Sequence, residues 1–509
     1  MERKPLPPHH AAHPPHGHHG PHGHGLPDGA DPRRWLVLAA MTGSLVIIFL
    51  DMTVVGVALP RIGGSLGMDA VGQNWIVTSY LLTLASLMAL GGRIGDLVGK
   101  VPAFIAGVAV FAVASVVCAS SATAAQMIVG RVLQGTGACL MQPASGALVI
   151  GAFPPGERGK AMAAYITIPL LFMALGPVLG GVVVARFGWP WVFWLNVPIA
   201  AVAIGLTLVA RPRDERSTDR AIDWIGGAML LLGLPALVYG IQELGAPQLD
   251  GDGGIDVVTP GAIAFGAVVL AVFVRRQLRH PRPLLKLRLF ADRTLAADAI
   301  TISCMQFAMT GLVISGSVYA QDVLGYAPVE AGASLLPMLV PTIIVAQFAG
   351  RWYDRAGARA PASWGTALAS VGMLVQAAGA WIISYPVMAA GMFVLGLGIA
   401  FTMSPTNTDA LGRVPNHERG QLSGLVQTMR QVGGSIGVAT VAATVAAALG
   451  ASGLGDHPPP EEARRAMAHA YAVGYAVASL GTIAAFVAVR RWMAPGKPAV
   501  TSAPAPAAP

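Results

Sequence analysis

The sequence predicts an all-α, polytopic membrane protein with about fourteen transmembrane helices: two six-helix repeats plus two inserted helices. Three observations predict it. The 509-residue chain is 54% hydrophobic and only 11% charged, where a soluble domain carries about 25% charge. Its apolar residues fall in runs of about 20, the length at which a helix crosses a bilayer. Its basic residues gather on alternate connecting loops.

The apolar runs cover 35–59, 74–92, 101–121, 125–150, 161–185, 191–210, 224–243, 258–275, 296–320, 332–350, 363–384, 386–408, 421–450 and 467–490. Of the 33 Lys and Arg residues, 27 fall on one set of alternating segments and 4 on the other. Arg131 and Arg430 lie within spans. Basic loops stay inside, so the N-terminus is expected inside, and an even span count returns the C-terminus to the same side. Miscounting one span would flip every later loop and erase the bias.

An internal repeat divides the chain. Gly92-Arg93-Ile94-Gly95-Asp96-Leu97-Val98-Gly99 and Gly350-Arg351-Trp352-Tyr353-Asp354-Arg355-Ala356-Gly357 share the pattern GRxxDxxG at an offset of 258. Glu157-Arg158-Gly159 recurs as Glu418-Arg419-Gly420 at 261. Halves duplicated with the same orientation are related by an axis along the membrane normal. The expected division is a tail over 1–34, a first half over 35–210, an insert over 211–293, a second half over 294–490 and an Ala/Pro tail over 491–509. Both tails are expected to be disordered.

Several classes are excluded. The +8 net charge follows the membrane topology, so no nucleic-acid partner is expected. There is no GxxxxGK[ST] loop, nucleophile elbow or metal triad, so no enzyme chemistry, cofactor or metal site is expected. Eight of the twelve His residues crowd the first 24 positions. That density could bind a transition metal weakly, but a disordered tail without a role is the simpler reading. Cys118, Cys139 and Cys304 lie in apolar runs and read as packing residues.

Asp51 is the leading candidate for function. An ionisable group within an apolar span is expensive, so its presence points to a role. With Pro60 ending the helix, Asp51 would lie about nine residues, roughly 13 Å, below the outer surface. Arg131 sits at a similar depth and is the expected partner. Gly176, Gly180 and Gly181 bring small residues one turn apart, which lets backbones approach closely, and Pro177 can bend that helix. Asp96 and Asp354 are expected in tight turns, pairing with Arg93 or Arg351 or capping a helix. Each is a candidate gating or packing residue.

Leu50-Asp51-Met52-Thr53-Val54-Val55 through Ala58-Leu59-Pro60, the repeated GRxxDxxG, Arg131-Val132-Leu133-Gln134-Gly135, Gly176-Pro177-Val178-Leu179-Gly180-Gly181 and Arg430-Gln431-Val432-Gly433-Gly434 occur in order on successive spans. In this they resemble the major facilitator superfamily, specifically its fourteen-span drug:proton antiporters, over residues 33–490. Gly56 departs from the usual Asn, and Leu97 from the usual basic residue. The resemblance implies a multi-pass protein of the cell (inner) membrane with cytoplasmic termini, expected to be a monomer. It implies protons and a small-molecule drug or natural product as partners, with coupling through Asp51 and Arg131. Gln134, Arg430, Trp75, Tyr80, Tyr165, Phe172 and Phe307 become candidate substrate contacts. Two other functions stay open: a dedicated exporter of one endogenous metabolite, and a membrane sensor or scaffold on a transporter fold.

Overall fold

A computed structural model describes residues 33–154, 157–214, 222–243, 258–281, 283–414, 419–452 and 459–496. The His-rich segment and most of the Ala/Pro tail lie outside the described residues. Those described form sixteen α-helices, one short 3-10 turn and no strand. The first half comprises α1 (Arg34–Leu66), α2 (Ala70–Val98), α3 (Lys100–Ala119), α4 (Ala124–Ala152), α5 (Arg158–Phe187), α6 (Pro190–Trp194) and α7 (Asn196–Ala210). The insert supplies α8 (Trp224–Glu243) and α9 (Val258–Arg279). The second half comprises α10 (Arg293–Asp322), α11 (Pro328–Ala333), α12 (Leu336–Ala356), α13 (Arg359–Trp381), α14 (Tyr385–Gly412), α15 (Arg419–Gly450) and α16 (Pro460–Trp492).

Among the described residues, eleven spans are long and apolar enough to cross a membrane, with α6–α7 and α11–α12 each acting as one broken rod. The long helices α4, α5 and α13 complete the bundle. With them the rods number fourteen, as the apolar runs do.

Contacts at the chain ends show the common direction of each half. Arg33 Nη1 donates to the Val209 carbonyl at 2.6 Å, and Arg34 pairs with Glu157 at 2.9 Å. The start of α1, the approach to α5 and the end of α7 therefore meet at one end, here called the basic end. In the second half, Thr294 Oγ1 donates to the Trp492 carbonyl at 3.3 Å, and Arg359 Nη2 to the Arg490 carbonyl at 2.9 Å. The starts of α10 and α13 and the end of α16 are thus likewise together.

Two local expectations change. Pro60 does not end α1; the helix continues to Leu66 with Pro60 inside it. A proline removes one backbone N–H and disturbs the preceding turn. Here Gln321 Nε2 of α10 donates to the nearby Val57 carbonyl at 3.0 Å, a bond of the kind that lets a spanning helix tolerate such a break. Asp51 consequently lies near the middle of the helix. Asp96 and Asp354 are not in turns but in the last turns of α2 and α12. The reversals use Gly99 at φ 107° and Gly357 at φ 74°, in the region that favours glycine. The cap on α3 comes from Asp214, whose carboxylate accepts from Lys100 N–H at 2.7 Å.

The insert is an antiparallel pair. Asp223, just before α8, accepts from Arg276 near the end of α9 at 2.7 and 2.8 Å, from Gln277 at 2.7 Å and from Gly226 N–H at 2.9 Å. Burial pushes the Asp223 carboxyl up, but the donors from Gly226, Gln277 and Arg276 outweigh it and hold it below its ordinary value. A depressed carboxyl stabilises the fold above its unfolded pKa, about 3.9 for Asp, and this contribution is lost as pH falls through the lower folded value. Asp223→Asn is expected to destabilise the protein at neutral pH by about 1.5–3 kcal/mol and to flatten the acid limb. Thermal unfolding in detergent against pH reads both. An unchanged profile would mean that this latch contributes nothing.

The two halves meet through small residues toward the end opposite the basic one. Gly181 lies against the Val329 backbone of α11, and Gly332 against the Pro177 carbonyl. Within the first half α5 packs on α1 in the same way: a Cβ on Gly176 would strike Thr53 Oγ1, and one on Gly180 would press on Val54. Such contacts are open only to residues without a side chain. On the other flank, Leu82 and Ala85 of α2, Leu234 and Val238 of α8 and Ala439 of α15 form one buried cluster.

Candidate functional site

Four elements of the first half converge on Asp51. The carboxylate is 2% exposed and Arg131 is 0% exposed. Arg131 Nη1 donates to Asp51 Oδ2 at 2.6 Å. The same nitrogen reaches Gln134 Oε1 at 2.7 Å, and Nε donates to the Ile76 carbonyl at 2.8 Å. The guanidinium also lies over the Tyr80 ring, 4.5 Å from its centroid, with Phe193 at 6.0 Å, where aromatic faces attract a cation.

The other carboxylate oxygen belongs to a neutral network. Asp51 Oδ1 accepts from Asn196 Nδ2 at 3.2 Å and from Gln134 Nε2 at 3.4 Å. Both amides also donate to Ser115 Oγ, at 3.3 and 2.8 Å. The network ties α1, α3, α4 and α7 together around one acid and one base. Such a pair is costly to leave half-made: removing one buried partner typically costs 3–5 kcal/mol.

The break between α6 and α7 explains Asn196. Leu195 lies between two helical segments, and Asn196 opens the second, so a polar side chain reaches inward at the bundle's mid-depth. Asn196 and Ser115 were not singled out among the sequence candidates. The signal for Asn196 was present: an amide flanked by apolar residues inside an expected span. Ser115 had none, since a serine in a helix can satisfy itself on the preceding turn, as its bond to the Phe111 carbonyl at 2.8 Å shows.

The remaining candidates divide. Gln134 and Tyr80 join the Asp51–Arg131 cluster. Trp75 stacks at a tilt on Tyr239 of the insert, with centroids 5.9 Å apart. The Tyr165 and Ser145 hydroxyls lie 2.6 Å apart. Phe172 is exposed on α5. Phe307 packs against Gly437 and Gly481. Arg430 is half-buried, with a buried Nε that meets no hydrogen-bond acceptor. Arg351 lies over Phe348 at 5.8 Å, and Asp96 has no side-chain partner among the described residues. Trp75, Tyr165, Phe172 and Phe307 thus occupy separate contacts, whereas Asp51, Arg131, Gln134 and Tyr80 form one site.

The fold is shared with solved transporters at low identity. An auto-inhibited POT family peptide transporter aligns with a TM-score of 0.66 and 14% identity, covering 93% of this chain and 99% of that one. A bacterial homologue of the human lysosomal transporter Spinster, inward-facing and unoccupied, aligns at 0.60 and 16% identity, covering 91% and 98%. Curated relatives are closer in sequence. The tetracenomycin C resistance and export protein of Streptomyces glaucescens is 34% identical, over 83% of this chain and 78% of that protein. The multidrug resistance protein Stp of Mycobacterium tuberculosis is 32% identical, over 82% and 77%. The puromycin resistance protein pur8 of Streptomyces alboniger is 32% identical, over 88% and 89%. Residues 41–438 match the family model of the Major Facilitator Superfamily, and the chain belongs to that superfamily of membrane transporters.

Proposed function

We propose that this chain is a proton-driven antiporter that exports amphipathic drugs or antibiotics by alternating access. It belongs, on this reading, to the fourteen-span drug:proton branch and works as a monomer in the cell (inner) membrane with both termini in the cytoplasm. The observation that carries the proposal is the fully enclosed Asp51–Arg131 pair at the centre of the first half. The resistance and export functions named for its relatives support the choice of cargo.

The chemistry follows from charge balance. An ionised Asp51 cancels Arg131. A proton arriving on the Asp51 carboxyl breaks that balance and removes the strongest bond between α1 and α4. Arg131 keeps the Ile76 carbonyl, the Gln134 amide oxygen and the Tyr80 face, so its charge stays solvated. α1 is then freed from α4. Thr53, two residues on and about 200° around the helix, lies against Gly176 on the other side. A shift of α1 therefore reaches the interface with α5 directly, and through α5 the second half. Protonation and the packing of the halves become two readings of one movement. Asp96, Arg93, Asp354 and Arg351, at the ends of α2 and α12, are proposed to latch the basic end in the alternate state.

The test is substrate-induced proton flux in reconstituted vesicles, against a panel of cationic and neutral compounds. Alkalinisation or acidification that tracks cargo supports the reading, and cargo movement without proton movement sinks it. A dedicated exporter of one endogenous metabolite is the second reading, favoured by relatives named for tetracenomycin C and puromycin. A response to one compound class alone would select it. A sensor or scaffold would show neither flux.

A further inference from the structure

A second enclosed acidic centre lies in the other half and takes no part in the mechanism above. Asp298, in the second turn of α10, and Asp409, near the end of α14, are each 0% exposed. Their carboxyl groups lie within hydrogen-bonding reach of each other. Arg413 Nε, one turn on, donates to Asp409 Oδ2 at 2.6 Å. Among the described residues, no donor meets either oxygen of Asp298, nor Oδ1 of Asp409. Three of four buried carboxylate oxygens are therefore unsatisfied while both acids are ionised.

Among the described residues, Arg413 is the cation that acts on the pair. From α12, Tyr353 lies close enough to feel the charge of both acids. Asp292, at the start of α10, adds another negative charge. Ala358, Ala362, Val489 and Met493 of α13 and α16 pack with Ala297 and Tyr353 in a buried apolar cluster beside Asp298 in sequence. Two carboxylates thus share one guanidinium in an apolar enclosure. Two acids so close cannot both stay ionised at low cost, and two acceptors can bond only if one of them carries hydrogen.

We propose that Asp298 and Asp409 form a proton-binding site that holds one proton between them, with Arg413 cancelling the charge that is left. The bound proton supplies the missing donor, joins α10 to α14 and makes the cluster neutral. Its loss leaves two carboxylates against one guanidinium and pushes the two helices apart. The site lies at the basic end of the second half, separate from Asp51, and stands whether or not Asp51 couples transport.

Infrared spectroscopy of the purified full chain at neutral pH tests it through the carbonyl stretch of protonated carboxylic acids. Asp298→Asn should remove one acid's share of that band, because Asp409 then pairs with Arg413 alone. Asp51→Asn should leave that share in place. Arg413→Gln should increase the pair's share about twofold, since without the guanidinium both acids take up hydrogen. A band unchanged by both Asp298→Asn and Arg413→Gln overturns the proposal. Should Asp298→Asn fail to fold, the Arg413→Gln spectrum decides alone. Uphill transport retained in Asp51→Asn with the pair's band intact would sink the antiport reading and leave this site standing, whereas a band unmoved by Asp298→Asn and Arg413→Gln sinks this site alone.

Discussion

Asp51→Asn is expected to abolish uphill export and cargo-linked proton flux while sparing exchange. Asparagine has nearly the same shape as the acid. Its amide oxygen can still accept from Arg131 Nη1, but its NH2 group, standing where Oδ1 was, cannot accept from Asn196 Nδ2 and Gln134 Nε2, so those two bonds are given up. What it cannot do is gain and lose a proton. The variant mimics the protonated carboxyl, so the halves remain able to rock with cargo. Counterflow of labelled against unlabelled substrate should persist, while accumulation against a gradient falls to the level of empty vesicles. The now unbalanced Arg131 should lower stability, by no more than the 3–5 kcal/mol typical of a broken buried pair, since the Ile76 carbonyl, Gln134 and the Tyr80 ring continue to hold it. A neutral variant that concentrates drug at the wild-type rate would remove Asp51 from the coupling mechanism.

Gly332→Leu should be almost as damaging, for a steric reason. The first carbon added at Gly332 falls on the backbone carbonyl of Pro177, and Gly181 lies equally close to the backbone of Val329. Neither neighbour is a flexible side chain that can swing away. The halves should therefore fail to close at this end, and transport should be lost although each half still folds. With the three native cysteines replaced by alanine, an Ile314→Cys reporter beside Gly56 should react severalfold faster with a small thiol reagent in the Gly332→Leu background. Wild-type reactivity and wild-type transport together would show that α5 and α11 do not form a closing surface.

Much of this was legible in the chain because a bilayer imposes simple rules. Apolar runs and alternating basic loops sufficed for the helices, since every spanning backbone must satisfy its own hydrogen bonds. Asp51 and Arg131 stood out because charge is rare at that depth. The helix ends were less readable: Pro60 reads as a stop, yet a donor from α10, distant in sequence, lets α1 continue. The cap on α3 was hidden for a similar reason, since Asp214 follows Lys100 by 114 residues. The aromatic candidates were the least readable. A ring on a spanning helix gives no sign of which neighbour it faces, and Trp75 proves to face the insert, Tyr80 the Arg131 guanidinium. Asp298 and Asp409 each look like an acid near a membrane boundary; only the crossing of α10 and α14 makes them a pair.

The latch of Asp223 on Arg276 and Gln277 marks α8 and α9 as a there-and-back excursion. Because the chain reverses twice, everything downstream is threaded through the bilayer in the sense it would have without them. An extra single helix at this point would instead turn the second half upside down and convert a parallel duplication into an antiparallel one. Additions between the halves are thus restricted to even numbers of crossings.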